Sequence, residues 1–181
     1  MALHPDRNKL VGAAAVSRLG FLAAVAVAVY VFESLVPMPL PWARLGLSNV
    51  IVTVALFAYG VKDAVVVNLV RIVAGNLALG LVLSPAFIFS LAGSFSALAV
   101  MSLVKWRLVP PLSVVGASCL GAVTNNVTQV LVFSALFAPS VALRSLAGAF
   151  ILLGVVVGLV TGFAAAAILR KVSLARFSGV H

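Results

Sequence analysis

Apolar positions along the chain fall into six runs, each closed by proline, a tight turn or basic residues. The first goes from Leu19 to Val36 and stops at Pro37, behind a mildly basic head containing Arg7 and Lys9. The stretch Pro37-Met38-Pro39-Leu40-Pro41-Trp42 is too proline-rich for helix, and proline with tryptophan suits an interfacial loop. The second run, Leu45 to Tyr59, is short for a full crossing, which predicts a helix buried against its neighbours or starting deeper in the membrane. Gly60-Val61-Lys62-Asp63 turns the chain into the third run, Ala64 to Leu83, which Ser84-Pro85 breaks. The fourth spans Ala86 to Val104, ahead of Lys105-Trp106-Arg107 and Pro110-Pro111; the fifth spans Leu112 to Ala138, ahead of Pro139. The sixth, Leu146 to Leu169, leads into Arg170, Lys171 and Arg176. At roughly 20 apolar residues per span, these runs predict an all-α integral membrane protein with six transmembrane helices. Its expected organisation is a short basic N-terminal segment (1–18), one membrane domain (19–169) and a basic tail (170–181). A signal peptide competes for the first run, but the run exceeds a typical h-region and five further spans follow it.

Composition removes the soluble alternatives. Of 181 residues, 64% are apolar and 8% charged, against about 45–50% and about 25% in soluble domains. The net charge of +9 sets twelve Lys/Arg against Asp6, Glu33 and Asp63. With six spans, Arg7, Lys9, Arg18, Lys62, Lys105, Arg107, Arg170, Lys171 and Arg176 share one side, and Arg44 and Arg144 the other. That imbalance predicts cytoplasmic termini in a bacterial-type inner membrane, with the basic residues anchored at lipid head groups. Five spans would split the basic head from the basic tail and fit worse. No clustered basic face with aromatics supports nucleic-acid binding. Cys119 is the lone cysteine, so no intramolecular disulfide is possible.

Three helices carry small residues at every fourth position: Gly20, Ala24 and Ala28; Ser113, Ala117 and Gly121; Gly154, Gly158 and Gly162. Such stripes let helix backbones approach closely in lipid. Most would serve packing inside the bundle. One could dock a separate membrane subunit, and the alanine-rich first helix (Ala23, Ala24, Ala26, Ala28) is the candidate.

Arg71 lies about eight residues into the third run, where an arginine costs at least about 2.5–3.5 kcal/mol. It must face the bundle interior, paired with Glu33 or holding a carboxylate or phosphate ligand. Thr124, Asn125, Asn126, Thr128 and Gln129 crowd one segment of the fifth run, with Asn125 and Gln129 four residues apart. Buried amides and hydroxyls need partners. Asn68 stands one turn before Arg71 on the same face, and Asn49 and Asn76 add further amides. Arg71, Asn49, Asn68, Asn125, Asn126 and Gln129 are therefore the candidate ligand-binding set, a cage rather than a proton relay.

The chemistry the chain lacks narrows the reading further. There is no G-x-x-x-x-G-K-[ST] phosphate loop, and the only histidines are His4 and His181. These offer no metal cluster and no Ser/His/Asp triad, and three acids cannot make an aspartate-rich magnesium motif. The expectation is a protein that is not itself an enzyme and uses no cofactor or metal.

The stretches RLGLSNVIVTVALFAYGVKDA (Arg44 to Ala64), LVRIVAGNLALG (Leu69 to Gly80), LSPAFIFSLAGSFSALAVM (Leu83 to Met101) and VGASCLGAVTNNVTQ (Val115 to Gln129) fall in order within Pro41 to Gln129, about half the chain. They resemble the membrane family named both "Gx transporter" and "heptaprenyl diphosphate synthase component I". The family pattern A-H-N-x-x-Q carries a histidine beside its asparagine, whereas this chain has Thr124, Asn125, Asn126 and Gln129, so no imidazole role carries over. The family is similar to the substrate-binding S components of energy-coupling-factor (ECF) vitamin transporters. That resemblance implies a six-helix fold with both termini inside and a small vitamin-like, flavin, quinone-precursor or isoprenoid ligand beneath the first loop. It also implies a cap formed by that loop, including Pro39 and Trp42, and an alanine-rich first helix meeting a T subunit energised by two ATPase subunits. The second family name implies an alternative: a non-catalytic accessory subunit of prenyl diphosphate synthesis.

Overall fold

A computed structural model describes residues 7–35, 46–107, 113–137 and 141–178. They form six helices and, among the described residues, no strand: α1 Arg7–Leu35, α2 Ser48–Tyr59, α3 Val61–Ala78, α4 Pro85–Arg107, α5 Val114–Phe137 and α6 Val141–Ser178. Each predicted run has become one helix. The basic segments at either end are largely helical as well, since α1 begins at Arg7 and α6 continues to Ser178. The third run ends earlier than its apolar character suggests. Gly80 takes a positive φ of 68°, and the chain turns there while Leu81 N–H donates to the Asn76 carbonyl at 2.8 Å. Gly60, at φ 109°, is the whole joint between α2 and α3, a conformation that glycine adopts without steric cost.

Among the described residues, four helical segments are long and apolar enough to cross a membrane: Gly12–Leu35, Pro85–Arg107, Val114–Phe137 and Gly148–Ser173. The chain is a multi-pass membrane protein, with large apolar side chains such as Phe21, Leu83, Leu152 and Phe163 on its outer surface. The other two helices differ. Helix α3 carries Lys62, Asp63 and Arg71 within 18 residues. Helix α2 has 12 residues and is about 18 Å long at 1.5 Å per residue, well short of a hydrocarbon core of about 30 Å.

That short helix is also the most enclosed. Val52, Ala55 and Leu56 of α2 pack with Ala26 of α1, Ala64 and Val67 of α3, and Leu98 and Met101 of α4. Val50 and Val54 meet Ala165 of α6 on the other side. Beside this core, α5 and α6 lie in close contact along the glycine stripe. A Cβ built on Gly154, Gly158 or Gly162 would sit 2.9, 2.5 or 2.8 Å from the Cα of Val123, Cys119 or Val115. The α5 stripe faces inward too, with Ala117 fully buried and Gly121 pressed on Met101.

The alanine-rich face of α1 divides. Ala26 is fully buried in the core, which removes it from the expected docking face, because its Cβ already touches the bundle interior. Gly20, Ala23, Ala24 and Ala28 line an outward apolar groove of about 630 Å³ with Val66 and Val70 of α3. A Cβ on Gly20 would meet nothing within 4 Å.

The two kinds of glycine predict opposite outcomes. Gly158→Ala should destabilise by about 1–3 kcal/mol, since the new methyl meets backbone that cannot move aside. Gly20→Ala should leave stability unchanged or slightly raised. Thermal unfolding of the two variants in detergent checks both.

Candidate functional site

An α-helix leaves its first N–H and last C=O groups without intrahelical partners, and in lipid these cannot turn to water. Helix α2 ends inside the bundle and has no side-chain cap of its own at Leu47. Two charged residues from neighbouring helices supply the missing partners. The Glu33 carboxylate of α1 accepts the backbone N–H of Leu47 and, at 3.1 Å, that of Ser48. Lys105 of α4 donates to the Leu56 carbonyl at 2.5 Å. Acid thus meets the positive end of the helix and base the negative end. The pairing of Glu33 with Arg71 gives way to this role: both side chains border one cavity, but the Glu33 oxygens turn to amides.

Holding the first turn of α2 in place sets out Ser48 and Asn49 for Arg71. The guanidinium, 2% exposed, donates from one terminal nitrogen to Ser48 Oγ at 2.9 Å and Asn49 Oδ1 at 2.8 Å. The other terminal nitrogen donates to Asn68 Oδ1 at 2.7 Å and Ser94 Oγ at 2.8 Å. One side chain of α3 thereby ties α2 and α4 together through neutral oxygens, and its Cζ lies 5.9 Å from the centre of the Tyr30 ring. Tyr30 is buried because Gly75 leaves room for it; a Cβ at Gly75 would stand 2.3 Å from the ring. Its hydroxyl accepts from Asn76 Nδ2 at 2.7 Å and donates to Ser90 Oγ at 3.1 Å.

These groups surround a cavity bordered by Tyr30, Glu33, Gly46, Ser48, Asn49, Arg71, Ser90, Ser94, Asn125 and Gln129. Water-sized groups can centre in about 30 Å³ of it. The α5 wall comes from Asn125 and Gln129, which fit because α4 presents Gly93 to them. A Cβ there would lie 2.6 Å from Asn125 Oδ1 and 2.9 Å from Gln129 Cγ.

Of the six residues expected to form a ligand cage, Arg71, Asn49, Asn125 and Gln129 come together around this cavity. Asn68 stands behind Arg71 as one of its acceptors. Asn126 turns away, donating to the Phe150 carbonyl of α6 at 2.9 Å; adjacent helical positions point about 100° apart, so both amides could not face one cavity. Thr124 bonds back to the Leu120 carbonyl, and Thr128 accepts from Ser96 of α4. Pro39 and Trp42 lie outside the described residues. Sequence reasoning missed Tyr30, Ser48, Ser90 and Ser94, because single serines are common in apolar runs. The spacing of Ser90, Gly93, Ser94 and Ala97 at i, i+3, i+4 and i+7 was the available signal, marking one small, polar helix face.

The cavity lies at the end of α2 that Glu33 caps. The opposite end carries Lys105, Lys62 and Arg18, the last bonded to Asp63 at 3.1 Å and placed 3.9 Å over the Tyr59 ring. Residues 22–168 match the family model described as heptaprenyl diphosphate synthase component I. No curated protein and no solved structure matches the chain.

Removing the acceptor at the head of α2 should loosen the whole site. Glu33→Ala is expected to cost about 1.5–3 kcal/mol, the range for hydrogen bonds to a charged group. Glu33→Gln should cost less, since its amide oxygen still accepts one N–H. Unfolding of the two variants followed by circular dichroism in detergent distinguishes them.

Proposed function

The chain belongs to the heptaprenyl diphosphate synthase component I family, and from that premise we propose that it is a membrane ligand-capturing component resembling the S components of ECF transporters. The observation that carries this reading is the polar cavity: a buried guanidinium, amides and hydroxyls enclosing free space inside an otherwise apolar bundle. Packing alone calls for no such space, and burying so many polar groups is costly unless they serve recognition. In this reading the ligand is a small vitamin-like, flavin, quinone-precursor or isoprenoid molecule with an anionic group set toward Arg71, while Asn49, Asn125 and Gln129 orient its polar atoms. All six helices belong to one membrane unit of a bacterial-type inner membrane with both termini cytoplasmic. The basic end at Arg18, Lys62 and Lys105 then faces the cytoplasm, and the cavity opens from the outer half. The groove along Gly20, Ala23, Ala24 and Ala28 is where a T subunit carrying two ATPase subunits would dock, and these would supply the energy.

The family description favours a second reading, an accessory subunit of prenyl diphosphate synthesis that presents isoprenoid substrate to a catalytic partner. The purely apolar groove between α1 and α3 is the feature of this chain that suits a prenyl chain.

Native mass spectrometry of the detergent-purified protein, with extraction of any bound molecule, tests the first reading. One small molecule per chain is expected, and Gln129→Ala combined with Asn125→Ala should weaken its binding at least about tenfold, equivalent to about 1.4 kcal/mol, with the helix content seen by circular dichroism unchanged. A mass that stays unshifted across a panel of vitamins and prenyl phosphates overturns it. Co-purification with a soluble prenyl synthase supports the second.

A further inference from the structure

Several serines in this bundle donate to their own helix. Ser34 bonds the Tyr30 carbonyl, Ser96 the Gly93 carbonyl and Ser134 the Val130 carbonyl. Ser48, Ser90 and Ser94 differ. Among the described residues the hydroxyl of each accepts a hydrogen bond and donates none: Ser48 and Ser94 accept from Arg71, and Ser90 accepts from Tyr30. All three border the cavity.

A hydroxyl that accepts still holds a proton to give. Each terminal nitrogen of Arg71 already makes two bonds to the protein, so those four N–H groups are engaged with Ser48, Asn49, Asn68 and Ser94. A molecule in the cavity therefore meets hydroxyl protons rather than the fork of the guanidinium. Behind Ser90 the chain is longer: Asn76 donates to Tyr30, and Tyr30 donates to Ser90. Hydrogen bonds in series polarise one another in a low-dielectric interior, which strengthens the last donor.

Building on the reading of this cavity as a ligand site, we propose that Ser48, Ser90 and Ser94 are its anion-contacting donors, charged from behind by Arg71 and Tyr30, and that the group they hold is a carboxylate. Size selects the group that the serines hold. Water-sized groups can centre in about 30 Å³, and one water needs about 10–15 Å³, so two or three oxygen-sized groups fit between the walls and the rest of the molecule lies outside them. The two oxygens of a carboxylate fit; the six terminal oxygens of a diphosphate do not. Glu33 borders the same cavity but faces the amides of Leu47 and Ser48 at the positive end of α2, which offsets its charge.

The test is calorimetric titration of the intact detergent-purified chain with acetate, benzoate, inorganic phosphate and pyrophosphate. The carboxylates should bind and the phosphates should not. Ser48→Ala with Ser94→Ala should weaken carboxylate binding at least about tenfold, the loss expected for a hydrogen bond to a charged group. Ser134→Ala, whose hydroxyl bonds the Val130 carbonyl of its own helix, should leave it unchanged. Ser90→Ala keeps every bond of Arg71 and should also weaken binding, so the proposal stays testable if the double variant does not fold. Equal or tighter carboxylate binding in the double variant overturns the proposal, because the released guanidinium would then be the contact. Stronger binding of pyrophosphate overturns it as well. A co-purified ligand that lacks a carboxylate removes this assignment while leaving the cavity a ligand site; no bound molecule and no response to any probe removes both.

Discussion

The backbone ends of α2 set the terms for the rest of the bundle. A helix of 12 residues buried among longer ones brings unsatisfied amides and carbonyls to membrane depth, where each costs several kcal/mol unless the protein answers it. Glu33 and Lys105 answer them from α1 and α4, with charges matched to the polarity of the helix. Two charges that would be liabilities in apolar runs become the fixings of the central element. Everything polar in the site follows from the position they give it: Ser48 and Asn49 stand on the first turn that Glu33 holds, and Arg71 reaches them from α3.

A division of labour among the helices follows. Helices α5 and α6 meet backbone to backbone along Gly154, Gly158 and Gly162, and Asn126 bonds across the same seam to the Phe150 carbonyl. Across the cavity, α1 to α4 are joined by hydrogen bonds among Glu33, Arg71, Tyr30, Asn76 and the serines, contacts that can be exchanged for contacts with a ligand. One wall of the cavity is thus fixed by shape and the other by replaceable polar bonds. Gly93 lies at their seam, where α4 yields to Asn125 and Gln129.

The helical architecture was legible in the sequence because hydrophobic runs and their proline or basic stops report directly on what lipid tolerates. Arg71 announced itself for the same reason, since an arginine in an apolar run demands an explanation. What it bonds could not be read. Ser48 and Ser94 look like ordinary small residues until the fold brings α2 and α4 against α3. Glu33 was the nearest acid and so the obvious partner for Arg71, yet the stronger claim on it came from backbone groups, which carry no sequence signal. Asn125 and Asn126 were indistinguishable by composition; helix rotation alone sends one to the cavity and the other to α6. Ala26 failed as a surface residue through the same rotation, its neighbours at 24 and 28 facing out while it faces Val52 and Leu56.

The contact between Tyr30 and Gly75 carries a consequence for descent. The tyrosine ring occupies the volume that any side chain at position 75 would fill, and its hydroxyl is the link between Asn76 and Ser90. A mutation at 75 therefore expels the ring and severs that link in one step, and a smaller residue at 30 gives up the link before position 75 is free to vary. Neither position can drift alone. The two positions, 45 apart in the chain, constrain each other through one contact, so exchanging either side chain calls for rebuilding both.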